Sequence, residues 1–365
     1  MLAAGILLGV SLRRWRWRSY VAAEDVGGKG AAGSPGDTRK KKKKKEKKKG
    51  GGKGQNEDPE QSPRKQLDCK PKHRGLINNN QYCFLNSAIH ILRAMPTVHR
   101  VLLDLPDAKH PPPGKKLTWA VSQLCKALQL EDGGTGAIYP QDLVKHFFST
   151  IGQTYDLELG QQADMTLAFA AILQRMHEEN LVEGDRSIFD CARSLIQTTT
   201  VCPLCKRHST KTDPTFVAHL SLQAGHQPKA GWPVQSLVKH AFSSESRATQ
   251  PCGECADMII IQEAATMGKD PVELKKTFSF KRSQCSTVAT ELIRSSKELC
   301  FCLKRFERVE GTTRYTRSNA ILDIPATLPL DSMFGGHANG TADLAAVGYH
   351  TGTSLESGHW VASLR

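Results

Sequence analysis

The sequence predicts an α+β fold in which a helical half comes first, a β half comes last, and a cysteine-knuckle insertion lies between them. Three observations carry this. Apolar residues recur at helical spacing between Phe84 and Met176. Two Cys-x-x-Cys pairs, Cys202/Cys205 and Cys252/Cys255, punctuate the middle of the chain. After them, short apolar runs bounded by prolines, glycines and cations read as strands. At 365 residues there is ample core for one large domain or two smaller ones.

Residues 1–72 read as a tail. They hold 20 Lys and Arg against 8 Asp and Glu, whereas the remainder holds 30 against 28, so the basic character belongs to the tail. Residues 2–12 form a short apolar run, followed by Arg13, Arg14, Arg16 and Arg18 interleaved with Trp15 and Trp17. An eleven-residue helix would reach only about 17 Å, too short for a hydrocarbon core of ~30 Å. The charge also follows the run, whereas a signal peptide carries it before. Residues 1–18 are therefore expected either as a shallow membrane-interface anchor or as a disordered end. Residues 26–66 are rich in Gly, Lys, Ser and Pro and read as disordered linker. The Arg39–Lys49 block suits nuclear import or an anionic surface. It has no interleaved aromatics to stack on bases, so specific nucleic-acid binding is not assigned. The expected location is cytoplasm or nucleus, with tethering through residues 1–18 left open.

From His73 the composition is that of a globular domain. Gly75–Leu92 pairs a polar loop of three asparagines with a helix whose stripe is Phe84, Leu85, Ala88, Ile89 and Leu92. Cys83 stands where loop becomes helix, and there unpaired N–H groups and the helix dipole favour thiolate. Such a cysteine serves as a nucleophile if a histidine reaches it from elsewhere in the fold, and is otherwise a buried structural thiol. Leu117, Val121, Leu124, Cys125 and Leu128 mark another helix, and Tyr139–Val144 opens a short one. Gln161-Gln162-Ala163-Asp164 then leads into a helix whose core stripe is Met165, Phe169, Ile172, Leu173 and Met176.

Each Cys-x-x-Cys supplies two corners of a tetrahedral Zn²⁺ site, and two of them close a four-thiolate shell with no place for a substrate water. Such a zinc is structural. With no convincing secretory signal in residues 1–18, a reducing compartment is expected, which disfavours disulfides. His208, His219 and His226 lie within reach in sequence as competing ligands. Phe216–Leu222, Met258–Ile261, Glu298–Phe306, Ile321–Leu330 and Trp360–Leu364 read as strands, and Cys285, Cys300 and Cys302 as buried thiols.

Several of these stretches resemble the ubiquitin-specific proteases, papain-like cysteine enzymes that cut at the ubiquitin C-terminus. The Cys83 stretch is similar to their cysteine box, Gln161-Gln162 to part of their glutamine box, and Leu303-Lys-Arg-Phe306 to a strand signature. Leu344–Gly352 with Ser357-Gly-His-Trp-Val361 is similar to their histidine box. The resemblance spans about 74–365. It implies a papain-like fold with a helical thumb (about 74–195), zinc-ribbon fingers (about 196–262) that grip ubiquitin, and a β palm (about 263–365), acting as a monomer. Carried over residue by residue, Cys83 is the nucleophile, His359 the general base, and Asn78 an oxyanion donor. Cys202, Cys205, Cys252 and Cys255 hold structural zinc, and ubiquitin and ubiquitinated proteins are the partners.

Several departures accompany the match, among them Gln81 for the usual asparagine, Cys302 for a histidine, and Met165-Thr166-Leu167 for His-Glu-Phe. Asn80 stands for the usual glycine and is expected to take a left-handed backbone. Tyr82 replaces threonine and is expected to narrow the cleft. Ala163 replaces the aspartate after Gln-Gln, with Asp164 one place late. The orienting Asp or Asn of a triad, expected well past His359, is not among the six residues that follow it. The resemblance therefore implies a deubiquitinase, working as a Cys–His dyad unless another residue substitutes, or alternatively an impaired relative that binds ubiquitin as a scaffold.

Overall fold

The computed structural model describes residues 5–11, 74–79, 81–129, 136–155, 157–182, 186–222, 231–243, 246–248, 250–308, 315–317, 321–331, 333–334, 340–352 and 358–365. The basic block 39–49, Asn80 and His226 lie outside these residues.

A strand β1 (Gly5–Ser11) precedes the helical half, which comprises α1 (Cys83–Ala94), α2 (Pro96–Asp104), α3 (Lys116–Gln129), α4 (Gln141–Phe147) and α5 (Met165–Glu179). Then come β2 (Ser194–Val201), β3 (His208–Thr215), β4 (Ala218–Ser221), α6 (Val234–Ser243), α7 (Gly253–Met267) and α8 (Pro271–Thr277). The chain finishes with β5 (Thr287–Arg294), β6 (Glu298–Lys304), β7 (Thr327–Pro329), β8 (Thr341–His350) and β9 (Trp360–Leu364).

The expected stripes are core. Phe84, Leu85, Ala88, Ile89 and Leu92 of α1 are fully buried, as are Met165, Phe169, Ile172, Leu173 and Met176 of α5. Each large side chain so buried contributes about 1.5–3 kcal/mol. Two helices start on carboxylates from distant parts of the chain. Glu179, at the end of α5, accepts from the N–H groups of Leu117 (3.2 Å) and Thr118 (2.8 Å) at the start of α3. Glu298 on β6 accepts from Thr97 and Val98 at the start of α2. Both satisfy amides that no side chain within the helix reaches.

The palm sheet has six strands in the order β7-β8-β1-β6-β4, with β9 on the same edge of β8 as β7. β1 runs antiparallel to β6, Gly5 opposite Lys304 and Ser11 opposite Glu298, and antiparallel to β8, Leu7 opposite Gly348. Residues 5–11, expected as part of a tail or interface anchor, thus form an inner strand and belong to the same compact unit as residues 73–365. The physical reason is that a short unbroken apolar run suits an inner strand of a sheet as well as it suits a lipid surface.

A second sheet, β3-β2-β5 with the short Ser246–Arg247 strand at its edge, forms the fingers. Its third strand, 287–294, comes from the stretch expected as palm. Met258–Ile261 is not a strand but part of α7. Ala256, Ile260 and Ala264 are buried at a four-residue spacing, Met258 and Ile261 are exposed, and Gly268 ends the helix at φ +63°. Four apolar residues in a row cannot separate strand from helix, but the longer spacing does. Among the described residues no helix is long and apolar enough to cross a membrane.

Candidate active site and cysteine cluster

Cys83 is the first residue of α1 and is 5 % exposed. The loop before it is tied down from two sides. Ile77 N–H donates to the Ile138 carbonyl (2.9 Å), and Asn86 Nδ2 on α1 donates to the Ile77 carbonyl (3.2 Å). Asn78 therefore sits on a restrained segment, half-buried, its Oδ1 without a hydrogen-bond partner among the described residues. Among the described residues of the loop, Gln81 is left-handed, at φ +66°. Tyr82 does not narrow a cleft. Its ring is 1 % exposed and packs against Phe148 at 5.8 Å, since a phenol ring gains more from the core than from an open groove.

α1 packs against β8 and β9, so the helix that Cys83 begins touches the strand that His359 precedes. Gly348 permits this approach. A Cβ there would collide with Met165 and stand 2.7 Å from Ile91 Cδ1. His359 is exposed, and its carbonyl accepts from Thr351 N–H (2.9 Å) and Thr351 Oγ1 (3.1 Å). Among the described residues no carboxylate is hydrogen-bonded to its imidazole. Before it, Gly358 has φ +149° and lies against the buried His350 ring, where a Cβ would come 2.5 Å from Nε2. Only glycine fits there.

The turn entering α5 grips the same loop. Gln162 Nε2 donates to the Gly358 carbonyl (2.8 Å), and Trp360 Nε1 donates to the Ala163 carbonyl (3.1 Å). Asp164 caps the helix, its Oδ1 accepting from Thr166 N–H (2.6 Å) and Leu167 N–H (3.1 Å). Burial pushes the Asp164 carboxyl up to about 6, against the pull of those two amides. The displaced aspartate has thus become the cap of a helix that begins one residue after it. Sequence reading noted Gln162 but offered no sign of what its amide touches.

In the fingers, the sulfurs of Cys202, Cys205, Cys252 and Cys255 all lie within 4.8 Å of one another, with Cys205 and Cys252 3.5 Å apart. Edges of a tetrahedral zinc–thiolate site are about 3.8 Å, so the cluster fits the ion. Burial opposes the Cys202 thiolate, but the N–H groups of Cys205, Cys252 and Leu204 outweigh it and bring the thiol down to about 6. Burial and the neighbouring sulfurs push Cys255 up to about 12. Four thiols this close cannot all ionise without a cation among them. Neither His208, which opens β3, nor His219, on β4 of the palm sheet, belongs to the cluster. Cys285, Cys300 and Cys302 are buried as expected, and burial pushes the Cys302 thiol up to about 12.

Comparison with known proteins places these features. The family model described as ubiquitin carboxyl-terminal hydrolase matches residues 74–365. Ubiquitin carboxyl-terminal hydrolase 10 of Saccharomyces cerevisiae is 21 % identical over 346 residues, covering 80 % of this chain and 42 % of its own length. Ubiquitin carboxyl-terminal hydrolase 51 of Mus musculus is 23 % identical over 327 residues, covering 80 % and 46 %. The chain spans less than half the length of these two relatives. The SAGA Ubp8/Sgf11/Sus1/Sgf73 DUB module bound to ubiquitin aldehyde shares the fold, with a TM-score of 0.56 at 17 % identity over 79 % of this chain and 61 % of that one. A structure of the module bound to monoubiquitin matches with the same score. The fold is that of the ubiquitin-specific proteases, papain-like and α+β, and the chain belongs to the ubiquitin carboxyl-terminal hydrolase family.

Proposed function

We propose that the chain is a thiol-dependent hydrolase of the bond at the C-terminus of ubiquitin, with Cys83 as nucleophile, His359 as general base and Asn78 as oxyanion donor. The observation that carries this is the contact between α1, begun by Cys83, and β9, preceded by His359, within a family-matched region. The Cys83 proton passes to the His359 imidazole. The thiolate adds to the terminal glycine carbonyl, forming a C–S bond, and the C–N bond breaks as the imidazolium returns its proton to the lysine amine. Water, activated by the same imidazole, then hydrolyses the thioester. Asn78, on its restrained loop, is placed by sequence to donate to the oxyanion without reorganisation. Cys202, Cys205, Cys252 and Cys255 would hold a structural zinc that pins the far end of the fingers.

A ubiquitin carrying a C-terminal electrophile tests the reading. Labelling of the full chain that vanishes in Cys83→Ala is the expected result. A second reading, a ubiquitin-binding scaffold, is favoured by the imidazole of His359, to which no carboxylate among the described residues is hydrogen-bonded. Ubiquitin binding by a wild-type chain that stays unlabelled would replace the first reading with that one.

A further inference from the structure

We propose that Gln162 is a positioning residue for His359, acting through the main chain of the loop that carries it; this rests on the reading of His359 as general base. Three contacts converge on that loop. Gln162 Nε2 holds the carbonyl of Gly358, the residue before the histidine, at 2.8 Å. The carbonyl of the next residue, Ala163, holds Trp360 Nε1, on the residue after the histidine, at 3.1 Å. The histidine's own carbonyl is taken by Thr351, through N–H at 2.9 Å and Oγ1 at 3.1 Å. Beneath them the His350 ring leaves no room for a side chain at position 358.

In a triad the third group hydrogen-bonds the imidazole and fixes the ring directly. Here the grips fall on the backbone to either side, which leaves only the two side-chain torsions of His359 to settle. Gln162 spans 196 residues of sequence to reach its acceptor. Its side chain also suits the task chemically. A carbonyl needs a donor, which an amide supplies at every pH, whereas a carboxylate of the same length would present oxygen to oxygen. Among the described residues, the titratable groups near the loop are His350 under Gly358 and Asp164 at the helix cap, with Cys83 at the start of the helix that packs on β9. Asp164 is engaged with two backbone amides, while Gln162 reaches across to the Gly358 carbonyl.

The test is the pH dependence of Cys83 alkylation by iodoacetamide in the full chain, read at Cys83 by peptide mass spectrometry. A thiolate paired with imidazolium reacts well below the pH at which a free thiol does. Gln162→Met, of equal length but without a donor, is expected to weaken that low-pH limb about tenfold or more. The kcat on a ubiquitin amide should fall by a similar or larger factor with KM little changed. Gln162→Glu should do the same, and unchanged thermal midpoints of both variants would show that the fold is intact. If the wild type shows the limb and both variants keep it along with kcat, Gln162 has no positioning role. If the wild type lacks the limb altogether, the Cys83–His359 pairing itself is wrong and this inference goes with it.

Discussion

Gly348 on β8 stands so close to Met165 at the start of α5 that a Cβ there would have to displace the Met165 side chain, with Ile91 of α1 closing the same gap. The sheet that leads to His359, the helix that begins at Cys83 and the helix entered through Gln162 all meet at this one point. A missing Cβ therefore lets the two halves approach this closely.

Gly348→Ala is expected to force Met165 and Ile91 aside at a cost of about 1–3 kcal/mol. Thermal unfolding should report the loss. Labelling by the ubiquitin electrophile should fall by more than the lost stability explains, because the halves are pushed apart. A variant with wild-type midpoint and labelling would mean that the gap is not tight in solution.

Asp164 makes a signed pH prediction. Burial raises its carboxyl from the usual value to about 6, so between those limits the folded state holds a proton that the unfolded chain has released. Its contribution is complete at pH below the unfolded value and is lost as pH rises through about 6. Asp164→Asn keeps an oxygen for the helix cap and removes the titration. The stability difference, wild type minus variant, should decline across pH 4–6 by on the order of 1–3 kcal/mol, measurable by urea unfolding. A difference that is flat or rises over that range would contradict the assignment.

The thiol cluster should take up close to one zinc per chain, and Cys202→Ser or Cys255→Ser should lower that content. Chelation should loosen the fingers, visible as faster amide exchange in 194–215, while the palm strands change little. Metal analysis near zero on freshly purified protein would remove the zinc site.

β1 should exchange its amides slowly, at rates comparable to those of β6, since both its neighbours are strands. Leu8→Pro removes a donor in the middle of this inner strand and strands a carbonyl, at a cost of about 1–3 kcal/mol or more. Exchange of residues 5–11 within seconds in the native chain would show that they do not occupy the sheet.

Much of the helical half was legible along the chain. The stripes from Phe84 to Met176, the strand Trp360–Leu364 and the two cysteine pairs are local patterns, and burial follows periodicity directly. Four apolar residues at 258–261 misled because a short run fits both periods, and the spacing out to Ala264 decided for a helix.

By itself, then, the sequence determined which faces are apolar, where the knuckles fall and which sulfur and imidazole are candidates for chemistry, since each is written within a few residues. The tertiary structure alone decided that residues 5–11 lie between β6 and β8, that Tyr82 turns inward to Phe148, that Glu298 and Glu179 cap helices remote in sequence, and that Gln162 grips Gly358. These are pairings across tens to hundreds of residues. A lone glutamine, glutamate or glycine looks the same in sequence whether or not its partner arrives, and only the packed chain brings the partner to it.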